Sequence, residues 1–257
     1  MNRIDFDALT KKLVGRSVDR PNAKNKGTLS GHAAGEPFSV LIYDTLQKMY
    51  PSLIFKQYEY LNKLFLTKPY AADKSMLIPS PTARFLLADK RETTFLKWSP
   101  SNLLAEKQDD TADMLLYDNG YYDIIDAKTT QASKKAQPPN IISALKVAKM
   151  CAVMLKHQDF NSVDIHYVSV DWIEKGNELS CTASTYKSLF LINPSDLYIN
   201  WAAALQIQFH PQTIKQDFKG TRQQWAQAYL KHFTQSASDR IEKMRVDFIE
   251  QFRKYIE

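Results

Sequence analysis

Three side chains near the middle of the chain have the types and spacing for phosphodiester chemistry. They are Asp113, Asp126 and Lys128, in the segment QDDTADMLLYDNGYYDIIDAKTT. Asn119-Gly120 is a strong hairpin signal, because a two-residue type I′ loop needs φ > 0 at both positions. Such a loop pairs Asp118 with Tyr121 and carries a constant index sum of 239 outward, which sets Asp113 opposite Asp126. Side chains alternate along a strand, so Lys128 shares the face of Asp126. The carboxylates then face each other at about 5 Å, which destabilises a sheet unless something offsets the repulsion. Both lie in apolar runs, where an unpaired carboxylate is costly. A divalent cation beside the lysine is the natural offset. Carboxylate oxygens suit Mg²⁺, and such a cation polarises a phosphodiester and acidifies a water. The ammonium group can position that water or stabilise charge on the phosphorus. The plainer reading is a solvated hairpin face with a surface ion pair.

The elements that must position these residues can be read from periodicity. A short helix is expected over Asp5–Val14 and another over Glu36–Tyr50, with an exposed basic arm between them at residues 16–35. Leu53–Leu66 is ambiguous, and a helix is expected over Thr82–Lys90. After the hairpin, Pro138-Pro139-Asn140 ends a loop and opens a helix through His157. Val163–Ile173 is apolar on both faces, as in a central strand. Glu178–Ser184 and the alternating residues from Leu205 to Phe209 read as further strands. From Thr221 the chain reads as helix to the end, with a break at Ser236–Ser238. Its stripe of Ile241, Met244, Phe248, Phe252 and Tyr255 reads as core, the alternative being a dimer interface. The expected fold is α/β, a central mixed sheet flanked by helices, in one domain over residues 1–257 with a C-terminal helical region at 221–257.

Composition narrows the classes. A chain of 257 residues with 44% hydrophobic and 24% charged residues is an ordinary globular domain. Cys151 and Cys181 lack metal spacing and sit in apolar stretches, so they read as buried thiols. No apolar run approaches signal-peptide or membrane-span length, so a soluble, cytoplasmic protein without a membrane partner is expected. A net charge of +6 favours a polyanionic partner.

The pair Asp113 and Asp126-Ala127-Lys128, separated by twelve residues, is the PD-(D/E)xK nuclease pattern. Several longer strings carry a more specific likeness: SGHAAGEPF, FKQYEYLN, DTAD, PNIISA, YINWAAALQIQFH and YLKHF. With them the chain closely resembles the HincII/HindII type II restriction endonucleases, nearly end to end. The resemblance implies an EcoRV-like PD-(D/E)xK core and a Mg²⁺-dependent homodimer. It implies blunt cutting of double-stranded DNA at GTYRAC, where Y is pyrimidine and R purine. Asp113 and Asp126 match the metal-binding carboxylates and Lys128 the catalytic lysine. Gln137 matches a glutamine that wedges into the DNA from the minor-groove side, and Asn140 and Asn200 match residues near base edges. Tyr198 falls in the same DNA-binding string as Asn200. Pro138 departs from the family's alanine and restricts Gln137 to extended conformations.

Physical readings of these residues leave alternatives. Asparagine can bond a purine edge bidentately, but Asn140 also suits a helix cap and Asn200 a turn. Gln137 is a wedge or a solvated loop residue, and a Y-R centre suits a wedge because pyrimidine–purine steps deform easily. His32 is a phosphate contact or an exposed loop residue. Glu36 serves the dipole of its helix or an outer-shell contact to metal or water. Lys134 and Lys135 reach phosphates or stay solvated. In the expected reaction a water at the cation attacks in line, leaving a 5′-phosphate and a 3′-hydroxyl. The rival readings are another PD-(D/E)xK nuclease, for repair or unusual DNA structures, and a DNA-binding relative that does not cut. A cognate DNA methyltransferase is the expected functional partner.

Overall fold

The computed structural model describes residues 3–21, 31–67, 77–87, 111–133, 137–253 and 255–256. Its centre is a six-stranded mixed sheet in the order β1-β7-β6-β4-β3-β2. These strands are β1 (Ser17–Asp19), β2 (Ile54–Phe55), β3 (Met114–Asp118), β4 (Tyr121–Gln131), β6 (Val163–Lys175) and β7 (Glu178–Ser188). A second sheet, β5-β9-β8, joins β5 (Asn140–Ser143), β8 (Tyr198–Asn200) and β9 (Gln206–Gln208).

The hairpin forms in the expected register. Asn119 has φ 49° and Gly120 φ 84°, the two positive values that the short loop demands. Asp118 pairs with Tyr121, Leu115 with Ile124 and Met114 with Ile125. The β3 ladder stops there, while β4 runs on to Gln131 alongside β6, parallel to it. From Asp126 onward, among the described residues, β4 therefore has no backbone partner on its β3 side. This open half-strand is where the candidate catalytic residues lie.

Helices cover both faces. On one, α1 (Phe6–Leu13) and α2 (Gly31–Met49) bury Phe6, Leu9, Phe38, Ile42 and Leu46 against Met114, Ile125 and Val168. Asp5 caps α1 by accepting from Ala8 N at 2.8 Å. On the other face lie α3 (Gln57–Thr67), α4 (residues 81–87), α5 (Ala144–His157) and α6 (Arg222–Arg245). There Trp225 Nε1 donates to the Ile192 carbonyl at 2.8 Å, and Tyr229 Oη to the Ala144 carbonyl at 3.0 Å. The second bond fastens α6 to the start of α5, just after β5, and the first to the segment after β7.

Four expectations need correction. Residues 16–35 are not one continuous arm, because β1 pairs with β7 and α2 already begins at Gly31; residues 22–30 lie outside the described residues. Asn140 does not open the helix after the hairpin. It stands in β5 opposite Gln208, and Ser143 is the cap, its Oγ accepting from Lys146 N at 3.3 Å. The β-branched pair Ile141-Ile142 favours that extra strand. No break occurs at Ser236–Ser238: the helix runs on to Arg245, with Ser238 Oγ and Thr234 Oγ1 donating to carbonyls of the preceding turn. A wide π turn falls later, at Val246–Glu250. Finally, the C-terminal stripe is exposed rather than core.

Candidate active site

Asp113 sits one residue before β3, and its Oδ2 accepts the Ala127 N–H at 2.8 Å. The side chain thus continues the hairpin ladder where the backbone of β3 leaves off, which holds the carboxylate against β4. Lys128 Nζ lies 2.5 Å from Asp126 Oδ2. Asp113 and Asp126 are close enough to share a proton, and their charges repel. Burial, the largest cause, and then Asp113 push the Asp126 carboxyl up to about 7; Lys128 pulls it down without cancelling them. A carboxyl held so far above its usual range wants positive charge beyond what the lysine supplies. The donor set of hard carboxylate oxygens fits a divalent cation.

Two neighbours on β6 extend the site and were not singled out in the sequence. Tyr167 pairs with Asp126 and Ser169 with Lys128. Tyr167 Oη and Ser169 Oγ are buried and have no hydrogen-bond partner. Buried hydroxyls are normally satisfied, so these two mark polar space around the carboxylates. Burial, then the charge of Asp126, hold the Tyr167 hydroxyl well above the usual phenol range. Only the strand register could have pointed to them, since Tyr-x-Ser inside an apolar strand carries no signal of its own.

The expected recognition residues gather on the small sheet. Asn140 and Tyr198 both pair with Gln208, and Asn200 pairs with Gln206. Gln208 links the two asparagines: its Oε1 accepts from Asn200 Nδ2 at 3.0 Å, and its Nε2 donates to Asn140 Oδ1 at 2.7 Å. Asn200 Oδ1 is taken by the N–H groups of Ala202 and Ala203, each at 3.0 Å. Asn200 is therefore a turn former as well as a member of this amide row, while Asn140 and Tyr198 are exposed. Gln208 was the overlooked member, and the polar face Gln206-Gln208-His210 was its signal. Gln137 is exposed in the loop before β5. Lys134 and Lys135 lie outside the described residues, and the side chain of His32 lies outside them too. Glu36 is exposed in the first turns of α2 and makes no hydrogen bond or ion pair to either aspartate. Its neighbour Gly35 packs toward Thr129 of β4, so that end of α2 passes beside the active strand.

A second polar cluster lies on the opposite face of the sheet. Asp123, Asp164 and His166 are buried and offer ligand atoms within 4.8 Å of one another. His166 Nε2 is 2.9 Å from Asp123 Oδ1. Arg222 Nη2 is 2.6 Å from Asp164 Oδ2, and Tyr121 Oη and Ser188 Oγ donate to Asp164 at 3.2 Å each. The group has metal-ligand chemistry, but a guanidinium already supplies its cation. Phe6 seals it, with ring centroids 4.4 Å from His166.

A mixed sheet between helices, carrying two aspartates and a lysine at the open end of a hairpin, defines the restriction-endonuclease-like class of PD-(D/E)xK type. Within it the chain belongs to the HincII restriction endonuclease family, whose description, Restriction endonuclease HincII, matches residues 9–256. It is 49% identical over 254 residues to the type II restriction enzyme HindII of Haemophilus influenzae strain Rd, covering 98% of this chain and 97% of that protein. It is 47% identical over 254 residues to the type II restriction enzyme HincII of Haemophilus influenzae, with the same coverage. This chain is accordingly a type II restriction endonuclease, a site-specific deoxyribonuclease. Among the described residues, no helix is long and apolar enough to cross a membrane.

Proposed function

We propose that two copies of this chain bind one palindromic site in double-stranded DNA, GTYRAC, and cut both strands bluntly at its centre, leaving 5′-phosphates. The observation that carries the reading is the cluster of Asp126 and Lys128 on the open half of β4 with Asp113 bonded against it, one carboxyl being pushed up to about 7. Mg²⁺ held by Asp113 and Asp126 would supply positive charge at the scissile phosphate and acidify a water. Asp126 then works as the carboxylate, because the cation offsets its repulsion from Asp113. Lys128 orients the attacking water toward the phosphorus and stabilises the charge that develops there. Tyr167 and Ser169 give that water hydroxyl partners. One centre per copy and one cut per strand suit a homodimer on a two-fold DNA site.

Recognition falls to the segment that follows Lys128. Asn140 offers amide hydrogens to a purine edge, with Asn200 and Tyr198 beside it. Gln137 wedges between base steps, where a pyrimidine–purine centre deforms at the least cost. Lys134, Lys135 and the basic residues of 16–35 neutralise phosphates, and Glu36 approaches the cation through its outer shell. The enzyme acts in the cytoplasm beside a DNA methyltransferase that protects the host's own sites.

Digestion of a mapped plasmid with Mg²⁺, followed by sequencing of the ends, tests this reading. Discrete blunt fragments ending at GTY and RAC support it. A smear, nicks, or binding without cleavage would sink it, as would wild-type cutting by Asp126→Asn.

A further inference from the structure

Gln57, the first residue of α3, is the one buried side-chain amide among the described residues, 2% exposed. Burying an amide is costly unless its hydrogen bonds are made, and here they are. Its Oε1 accepts from Thr111 N and Ala112 N, each at 2.9 Å, and its Nε2 donates to the Leu87 carbonyl at 3.1 Å. A backbone N–H only donates and a carbonyl only accepts, so the amide fits in one orientation.

The two N–H groups that Gln57 holds belong to the residues immediately before Asp113. Strand β2 pairs with β3 as far as Phe55 opposite Leu115, and on that register Gln57 would stand opposite Asp113. The chain turns at Gln57 into α3 instead, and the side chain takes the place of the missing strand. Asp113 does the same one strand over, where its Oδ2 accepts the Ala127 N–H at 2.8 Å. Two side chains thus carry the sheet across from β2 to β4 beyond the end of the β3 ladder. Thr111 is held a second time, because its Oγ1 donates to the Leu86 carbonyl and accepts from Lys146 Nζ at 2.8 Å. Asp113 itself is exposed, so packing does not fix it. On its N-terminal side, among the described residues, no ladder anchors it either, and Gln57 supplies the anchor.

We propose that Gln57 is a positioning residue for the nuclease centre: by fixing the backbone of Thr111 and Ala112, it holds the Asp113 carboxylate beside Asp126, where the two together take a divalent cation. Groups that orient a metal ligand from behind govern the affinity of the site as well as its shape. The inference rests on the reading above in which Asp113 and Asp126 are the ligands.

Mn²⁺ binding to the full chain without DNA, read by electron paramagnetic resonance well below each variant's melting temperature, tests it. Gln57→Met keeps the length of the side chain but removes the acceptor. It should weaken Mn²⁺ binding at least about tenfold, and the Mg²⁺ concentration for half-maximal plasmid cleavage should rise by a similar factor. Gln57→Glu keeps the acceptor. Burial drives a carboxyl there to its neutral form, whose carbonyl oxygen accepts both N–H groups while its O–H donates to Leu87, so it should bind Mn²⁺ like wild type. A glutamine that serves only the fold would lower the melting temperature of Gln57→Met and leave both metal readouts unchanged, which overturns the proposal. Gln57→Glu that binds as weakly as Gln57→Met overturns it too. Amide exchange of the wild type needs no variant to fold: Thr111 and Ala112 should be protected like the ladder amides of β3, and free exchange at both would also overturn it. Plasmid cleavage separates the two readings. A wild type that cuts GTYRAC while Gln57→Met binds Mn²⁺ and cuts equally well refutes the positioning alone. A chain that binds Mn²⁺ through Gln57 without cutting refutes the function alone.

Discussion

Strand β4 carries two aspartates three residues apart that face opposite sides of the same sheet. Asp123 points toward α1, where His166 bonds it, while Asp164 beside it takes Arg222, Tyr121 and Ser188. Asp126 points toward the open end of the hairpin, where a second carboxylate crowds it and one lysine only partly compensates. Both positions interrupt apolar strands, and both carry charge. The difference is that the first cluster brings its own cation and is closed over by Phe6, whereas the second is short of positive charge and lies where β4 has lost its neighbour. A buried carboxylate bonded by donors of its own chain holds a fold together. One left crowded is waiting for a ligand.

The sharpest test exchanges charge at each cluster. Asp126→Asn should lower the rate of plasmid cleavage by a factor on the order of 10²–10⁴, the range for loss of a group acting on the reacting atoms. In chelator at pH 8 the same change should raise the melting temperature, because it removes the repulsion with Asp113. Asp164→Ala should do the reverse. It strands Arg222 and the Tyr121 and Ser188 hydroxyls, costing about 3 kcal/mol and roughly 6–12 °C in melting temperature. A stabilising Asp164→Ala, or a destabilising Asp126→Asn in chelator, would break the contrast.

The pH profile is the next test. Asp126 binds its proton more tightly folded, at about 7, than at the ordinary value of 3.8. Its contribution to stability is thus fully present below pH 4 and lost as pH rises through 7, provided no divalent cation is present. In chelator, the melting temperature of the wild type relative to Asp126→Asn should fall between pH 5 and 8. Added Mg²⁺ should restore it at pH 8 and do little at pH 5. A flat difference would mean that the two carboxylates are not coupled.

Smaller effects refine the comparison. Gln208→Ala frees both asparagine amides, so it should reduce discrimination against sites with one changed base pair by about 1–2 kcal/mol, while cutting of the best site changes less. Competition between the two sites in one digest reads this directly. Tyr167→Phe removes a hydroxyl that has no partner in the fold. Stability in chelator should therefore stay within about 1 kcal/mol of wild type, with a loss of cleavage rate seen only when Mg²⁺ is added. A larger loss of stability would show that the hydroxyl serves the fold.

Much of the site was legible because it is local. The turn residues Asn119 and Gly120 determine a register, the register sets Asp113 against Asp126, and alternation brings Lys128 to the same face. Less of the small sheet was legible. Asn140 reads as a helix cap from its neighbours, and its strand exists only because β9, far along the chain, is there to pair with it. Gln208 was overlooked for the same reason, since its role lies in two bonds to residues on other strands. The C-terminal stripe shows the limit of periodicity, which reports that five apolar residues share a face but not what lies against it.

What the sequence determined by itself was therefore the family, carried by its long matching strings, and the helical and strand-forming segments with the carboxylate hairpin, set by short-range backbone preference and the period of apolar residues. Tertiary structure alone decided which aspartate of β4 is closed in beside a histidine and which is crowded by another carboxylate, which glutamine joins the asparagines, and that the last helix leaves its apolar stripe exposed. Those outcomes depend on neighbours brought from distant parts of the chain. Burial and pairing of charge are properties of the assembled surroundings, and no local stretch of residues encodes them.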